Sequence, residues 1–150
     1  MKFLRLTCAW LLAAGCTAIV GSIIQTQFNL AAIAALGAPV SLGVRVQTTL
    51  QDLAGFAPML GAVAAAGFLP AFLAAALLAR RWPRRRKLLF GLAGATAVCA
   101  AIIIMNAVLP MTPIGATRSA WGTAALAVAG LLGGGVFAAL ARRRPAAPGA

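Results

Sequence analysis

The chain has 150 residues, of which 63% are hydrophobic and 9% charged, with a net charge of +12 and a mean hydropathy of +0.99. A soluble domain is about 45–50% apolar and about 25% charged, so these residues cannot build a water-facing surface and lipid must be the solvent for most of the chain. One carboxylate (Asp52), no histidine and three scattered cysteines (Cys8, Cys16, Cys99) leave no paired groups for acid–base, metal or disulfide chemistry.

A spanning helix needs about 20 mostly apolar residues, and the runs here are continuously apolar, which excludes the alternating strands of a membrane barrel. The first qualifying run follows Lys2 and Arg5, extends from Leu6 to Ile24, and can continue as a helix to Leu36. Within it, "LLAAGC" ending at Cys16 resembles a bacterial lipoprotein signal, in which the cysteine becomes the lipidated first residue. It departs from that pattern at Ala13, and the following "TAIVGSII" stays apolar where a polar tether is the rule. An uncleaved first span is the expectation. Ser22, Gln25 and Asn29 recur at i, i+3 and i+7 and, with Asn106 later in the chain, define a candidate polar level near the outer membrane face. Such amides commonly bond across helix interfaces; a vestibule for substrate or ion and a contact face for a partner are the other readings.

The next connection, "GAPVSLGVRVQTTLQD", is the most polar stretch between two apolar runs. Ser41 is a good cap for a short helix over 42–52. There Val46, Leu50 and Leu53 share one face, and Arg45, Thr49 and Asp52 another, as in a segment lying in the interface. Asp52 then suits the N-cap of the second span. It can also pair with Arg118, so that Arg45, Asp52 and Arg118 form one polar cluster joining the two outer loops.

The second span is expected from Leu53 to Ala79, kinked at Pro58 and Pro70. It runs into "RRWPRRRK", where Arg80, Arg81, Arg84, Arg85, Arg86 and Lys87 are an orientation signal first and candidate anionic-lipid contacts second. The third span covers Leu88 to Leu109. The loop "PMTPIGATRSAWG" leads to the fourth, Ala120 to Leu140. Gly61 to Gly67, Gly91 with Gly94 and Ala95, and Gly130 with Gly133, Gly134 and Gly135 offer small surfaces for close helix approach, within one chain or between chains. Residues 142–150 read as a basic, disordered cytoplasmic tail, leaving 1–141 as one four-span membrane domain.

Eleven of the thirteen basic residues fall at the N-terminus, in the 80–87 connection and in the tail; Arg45 and Arg118 are the exceptions. That places both termini in the cytoplasm, with Trp10 and Trp82 in the inner interface belt and Trp121 in the outer one. Charges clustered beside apolar runs also argue against a nucleic-acid footprint, which lines a folded, exposed face. Small multidrug transporters and fluoride channels share the size and span count, but the chain lacks the mid-membrane glutamate of the first and matches no polar motif of the second. Its Ala- and Gly-rich make-up resembles small inner-membrane proteins of high-GC bacteria.

The expected fold is therefore an all-α four-helix transmembrane bundle, with a short amphipathic interfacial helix between helices 1 and 2. The expected function is a non-enzymatic, multi-pass bacterial inner-membrane protein, an accessory, assembly or lipid-associated structural subunit. No catalytic residue, metal site or cofactor is assigned; membrane lipid and a partner membrane protein or second copy are the expected contacts. A homo-oligomeric small transporter or channel is the alternative, and a membrane-embedded enzyme a distant third.

Overall fold

In the computed structural model, which describes residues 2–109 and 114–141, four α-helices are joined by short connections: α1 (Lys2–Ala35), α2 (Leu42–Arg81), α3 (Arg86–Val108) and α4 (Ala120–Leu140). All four are long and apolar enough to cross a membrane, as the continuous apolar runs require. The predicted tail, 142–150, lies outside the described residues.

The first helix follows the longer of its two predicted extents and ends where Gly37, with φ of 89°, turns the chain. The second helix differs from expectation. Ser41 caps it, its hydroxyl accepting from the Val44 N–H at 3.3 Å, and the helix then runs unbroken for 40 residues through Pro58 and Pro70. The amphipathic segment 42–52 is helical as predicted but is continuous with the second span, not a separate element. No glycine or proline lies between Gly43 and Gly55 to stop it. Asp52 consequently sits in the third turn, and the N-cap reading is corrected: the helix's unpaired N–H groups belong to the residues just after Ser41.

At about 1.5 Å per residue, α1 and α2 extend roughly 50 and 60 Å, against about 35 and 32 Å for α3 and α4. The long pair forms a hairpin whose tip, residues 31–39, is almost wholly exposed. Beneath the tip the helices pack as a ring in chain order, with α1 against α2 and α4, and α3 against α2 and α4.

The tightest seam joins α3 to α4. A Cβ placed on Gly94 would strike the carbonyl of Gly130, and one on Gly134 would strike the carbonyl of Phe90. Gly133 faces α1, where an added Cβ would strike the Thr17 hydroxyl. The small residues of the third and fourth spans thus serve contacts within the chain. With lipid as solvent, such close approach supplies dispersion contacts that apolar burial alone cannot. Around it lies a core of alanines with Phe68, Phe72, Phe90, Leu126 and Ile102.

Candidate functional site

Polar and charged side chains concentrate at the two ends of the bundle, and the two ends are built differently. At the hairpin end, side chains of α1 turn onto neighbouring elements. The Thr26 hydroxyl donates to Asp52 Oδ2 at 2.6 Å and lies 2.9 Å from the Ser22 carbonyl of its own helix. One turn outward, Arg45 Nη1 donates to Gln27 Oε1 at 3.1 Å, and Gln27 Nε2 donates to Thr49 Oγ1 at 3.1 Å. Thr49 in turn donates to the Arg45 carbonyl at 2.6 Å, closing a ring between α1 and α2. On the other side of α1, Gln25 Oε1 accepts the Ala116 N–H at 2.8 Å. This fixes the 3₁₀ turn Gly115–Arg118 that leads into α4. Asn29 lies against Gly115, so closely that a Cβ there would strike its amide oxygen.

The predicted cluster of Arg45, Asp52 and Arg118 is therefore only partly assembled. Arg45 and Asp52 both join α1, through Gln27 and Thr26. Arg118 is exposed on the far side of that helix, and among the described residues Asp52 forms no ion pair. The reason is topological: α1 packs against both α2 and the 3₁₀ turn, and so stands between the two loops that the cluster was to join. The tie between the outer loops exists, but α1 makes it with neutral groups. The predicted polar level separates in the same way. Ser22 and Gln25 are buried and Asn29 half-buried against the turn, whereas Asn106 is exposed on α3. Ser22 is 0% exposed and its Oγ has no hydrogen-bond partner among the described residues, although Thr26 bonds the Ser22 carbonyl.

Sequence reasoning passed over Thr26, Gln27 and Thr17, whose hydroxyl donates to the Ala129 carbonyl of α4 at 3.3 Å. A signal for Thr17 and Thr26 existed, though not for Gln27. Thr17, Ser22, Gln25, Thr26 and Asn29 extend a polar stripe along a helix whose other residues are nearly all apolar.

At the other end, six cations gather within eight residues, on the last turn of α2, the 3₁₀ turn Pro83–Arg85 and the first turn of α3. Arg80 and Arg81 suit the negative end of the α2 dipole, but Arg86 and Lys87 face the positive end of α3, where a cation is disfavoured. Helix stability does not explain them. Trp82, 52% exposed, lies at this corner, and Trp121, 81% exposed, at the start of α4; both positions fit interface belts. Trp10 differs from the belt prediction: it is half-buried and its indole N–H donates to the Ala65 carbonyl at 3.2 Å.

Trp10 instead forms one wall of an open groove of about 1120 Å³. The groove runs between the start of α1 and the second half of α2. Its floor is an aromatic cluster: Phe68 stacks on Phe72 with ring centres 4.5 Å apart, Phe72 meets Phe137 at 4.6 Å, and Phe90 meets Phe137 at 5.1 Å. Leu69, Leu73 and Ala76 line its rim, and Arg80 and Arg86 stand at its mouth. The Arg86 guanidinium lies 4.6 Å from the centre of the Phe90 ring, a cation–π contact that holds it over the aromatic floor. The remaining cations of the cluster, Arg81, Arg84, Arg85 and Lys87, are exposed and do not line the groove.

Cys16 is half-buried in the middle of α1, Cys8 is exposed near its start and Cys99 half-buried on α3; all three thiols are free. Among the described residues no group of three or more His, Cys, Asp or Glu converges as a metal site. No family model, no curated protein and no solved structure matches the chain.

Proposed function

We propose that this chain is a non-enzymatic, multi-pass protein of a bacterial inner membrane, with both termini cytoplasmic, that works by contact: an accessory, assembly or lipid-associated structural subunit. The observation that carries the reading is where the polar side chains go. Thr26, Asp52, Arg45, Gln27, Thr49 and Gln25 bond to one another and to backbone across helices. They knit the hairpin to its neighbours instead of lining a passage. Asn106, the residue that would have completed a ring of amides around an entrance, faces away from the bundle. The outer surface, by contrast, is a broad apolar face with basic residues at one end, suited to lipid and to other membrane helices. The orientation rests on the bias of Lys and Arg toward one end.

Native mass spectrometry in mild detergent tests the reading. A monomer, alone or with retained lipid or a different protein, is the expected result. A defined homo-oligomer overturns it in favour of a pore or transporter, which a chain of four helices nearly always needs several copies to build. A reporter fused after Ala141 tests the orientation and is expected to be active only as a cytoplasmic fusion.

A further inference from the structure

We propose that the groove beside Trp10 is a binding site for one anionic phospholipid, with the phosphate held at Arg80 and Arg86 and an acyl chain laid along Leu69 and Leu73, above the buried Phe68 and Phe72. This deepens the lipid-associated reading of the chain and rests on it.

Three observations converge on that occupant. The first is length. From Arg80 at the mouth to Phe68 at the deep end is twelve residues of α2, about 18 Å of helix rise. Half of a hydrocarbon core about 30 Å thick is about 15 Å, so the groove runs the depth of one leaflet, from headgroup level to the bilayer middle. The second is size. Its volume of about 1120 Å³ exceeds the roughly 300–1,000 Å³ of pockets for compact small molecules, and Leu69 and Leu73 along its rim are exposed. The third is the order of chemistry along it. The deep end is aromatic and aliphatic, and among the described residues the charged side chains lining it are the two guanidinium groups at one end. A guanidinium offers several N–H donors in a fixed fork suited to phosphate, and Arg86 is already anchored on Phe90. A zwitterionic lipid would bring its own cation to the same mouth and lose part of that attraction. A basic pocket between membrane helices at the headgroup level is how anionic lipids are recognised generally.

The test uses delipidated full-length protein in mild detergent, titrated with dioleoylphosphatidylglycerol or dioleoylphosphatidylcholine and read by native mass spectrometry. One phosphatidylglycerol is expected to bind at least tenfold more tightly than phosphatidylcholine. Arg80→Gln with Arg86→Gln should lower phosphatidylglycerol affinity about tenfold and leave phosphatidylcholine nearly unchanged. Ala76→Trp, which fills the groove from its rim, should abolish tight binding of either lipid while the lipid-free melting temperature holds. Arg81→Gln with Arg84→Gln and Arg85→Gln removes more charge outside the groove and should lower affinity by less than threefold. If that triple variant loses as much as the double, the attraction is a diffuse basic surface and the proposal fails. It also fails if the two lipids bind equally to the unmodified chain, or if a second copy of the chain takes the place of lipid. The oligomeric state read in the same spectrum separates failure of the site from failure of the functional reading.

Discussion

The two ends of this bundle handle scarce polarity in opposite ways. At the hairpin end every charged side chain of α2 finds a neutral partner on α1: Asp52 takes Thr26, and Arg45 takes Gln27. At the basic end five of the six cations are exposed, Arg86 is half-buried over the Phe90 ring, and Arg80 and Arg86 line an apolar groove. In a membrane a polar group that bonds inward contributes to the fold, because leaving it unpaired in hydrocarbon costs several kcal/mol. An exposed cation at headgroup level costs little, because water and headgroups solvate it. The contrast teaches that polar residues at the hairpin end hold helices together, whereas the less conspicuous groove, with exposed Leu69, Leu73 and Arg80 along it, faces outward.

The largest effect should come from breaking the seam that carries both ends. Gly94→Leu drives a side chain into the Gly130 carbonyl of α4, and backbone cannot move aside as a side-chain tip can. Overpacking costs typically about 1–3 kcal/mol and occasionally more; the upper end is expected here, seen as lost folded yield in detergent. Gly135→Ala, where an added Cβ meets nothing within 4 Å, is the matched control and should change the melting temperature little.

A smaller loss is expected from unpicking the hairpin end. Gln25→Leu removes the acceptor of the Ala116 N–H and leaves that buried donor unpaired, at about 1–3 kcal/mol. Thr26→Val keeps the shape but removes the hydroxyl that Asp52 accepts from. Hydrogen bonds to charged groups contribute about 1.5–3 kcal/mol in general, but interhelical ones in membranes average nearer 0.6. A loss of about 1 kcal/mol is therefore expected, measured by unfolding in mixed micelles. Neither change should alter the binding of phosphatidylglycerol at the opposite end. If either does, the two ends are coupled and the comparison above is too simple.

How much of this was legible follows from the kind of signal each feature leaves. Helix lengths and order were, since an apolar run of 20 residues is a one-dimensional feature; α4 falls on the predicted Ala120–Leu140 without change. The extent of α2 was readable in principle, because nothing between Gly43 and Gly55 stops a helix, but a polar run between apolar ones invites a break that α2 does not make. The partners of Asp52 and Gln25 were not legible. They depend on α1 lying between α2 and the 3₁₀ turn, which spacing along the chain does not state. The groove was the least visible, since it is a gap. Its trace in "FLPAFLAAALLAR" is an aromatic pair at i and i+4 followed on the same side by alanines and closed by Arg80. That pattern describes a groove only once α1 is known to stand off from it.

The smallest expected effect is the one that decides between a charged and a neutral tie at the hairpin end. Asp52 and Arg118 are the natural pair on charge alone, and the arrangement found here keeps them apart with α1 between them. Arg118→Gln should then shift stability by less than about 0.5 kcal/mol, as for an exposed surface change. Asp52→Asn should cost more, because an amide is a poorer acceptor for the Thr26 hydroxyl than a carboxylate. The double variant sharpens this. Changes at sites that share no partner add to within about 0.3–0.5 kcal/mol, so the sum of the two single effects is expected. A coupling of 1 kcal/mol or more would mean that Arg118 reaches Asp52 in the membrane. The hairpin end would then be closed by charge as well as by neutral hydrogen bonds.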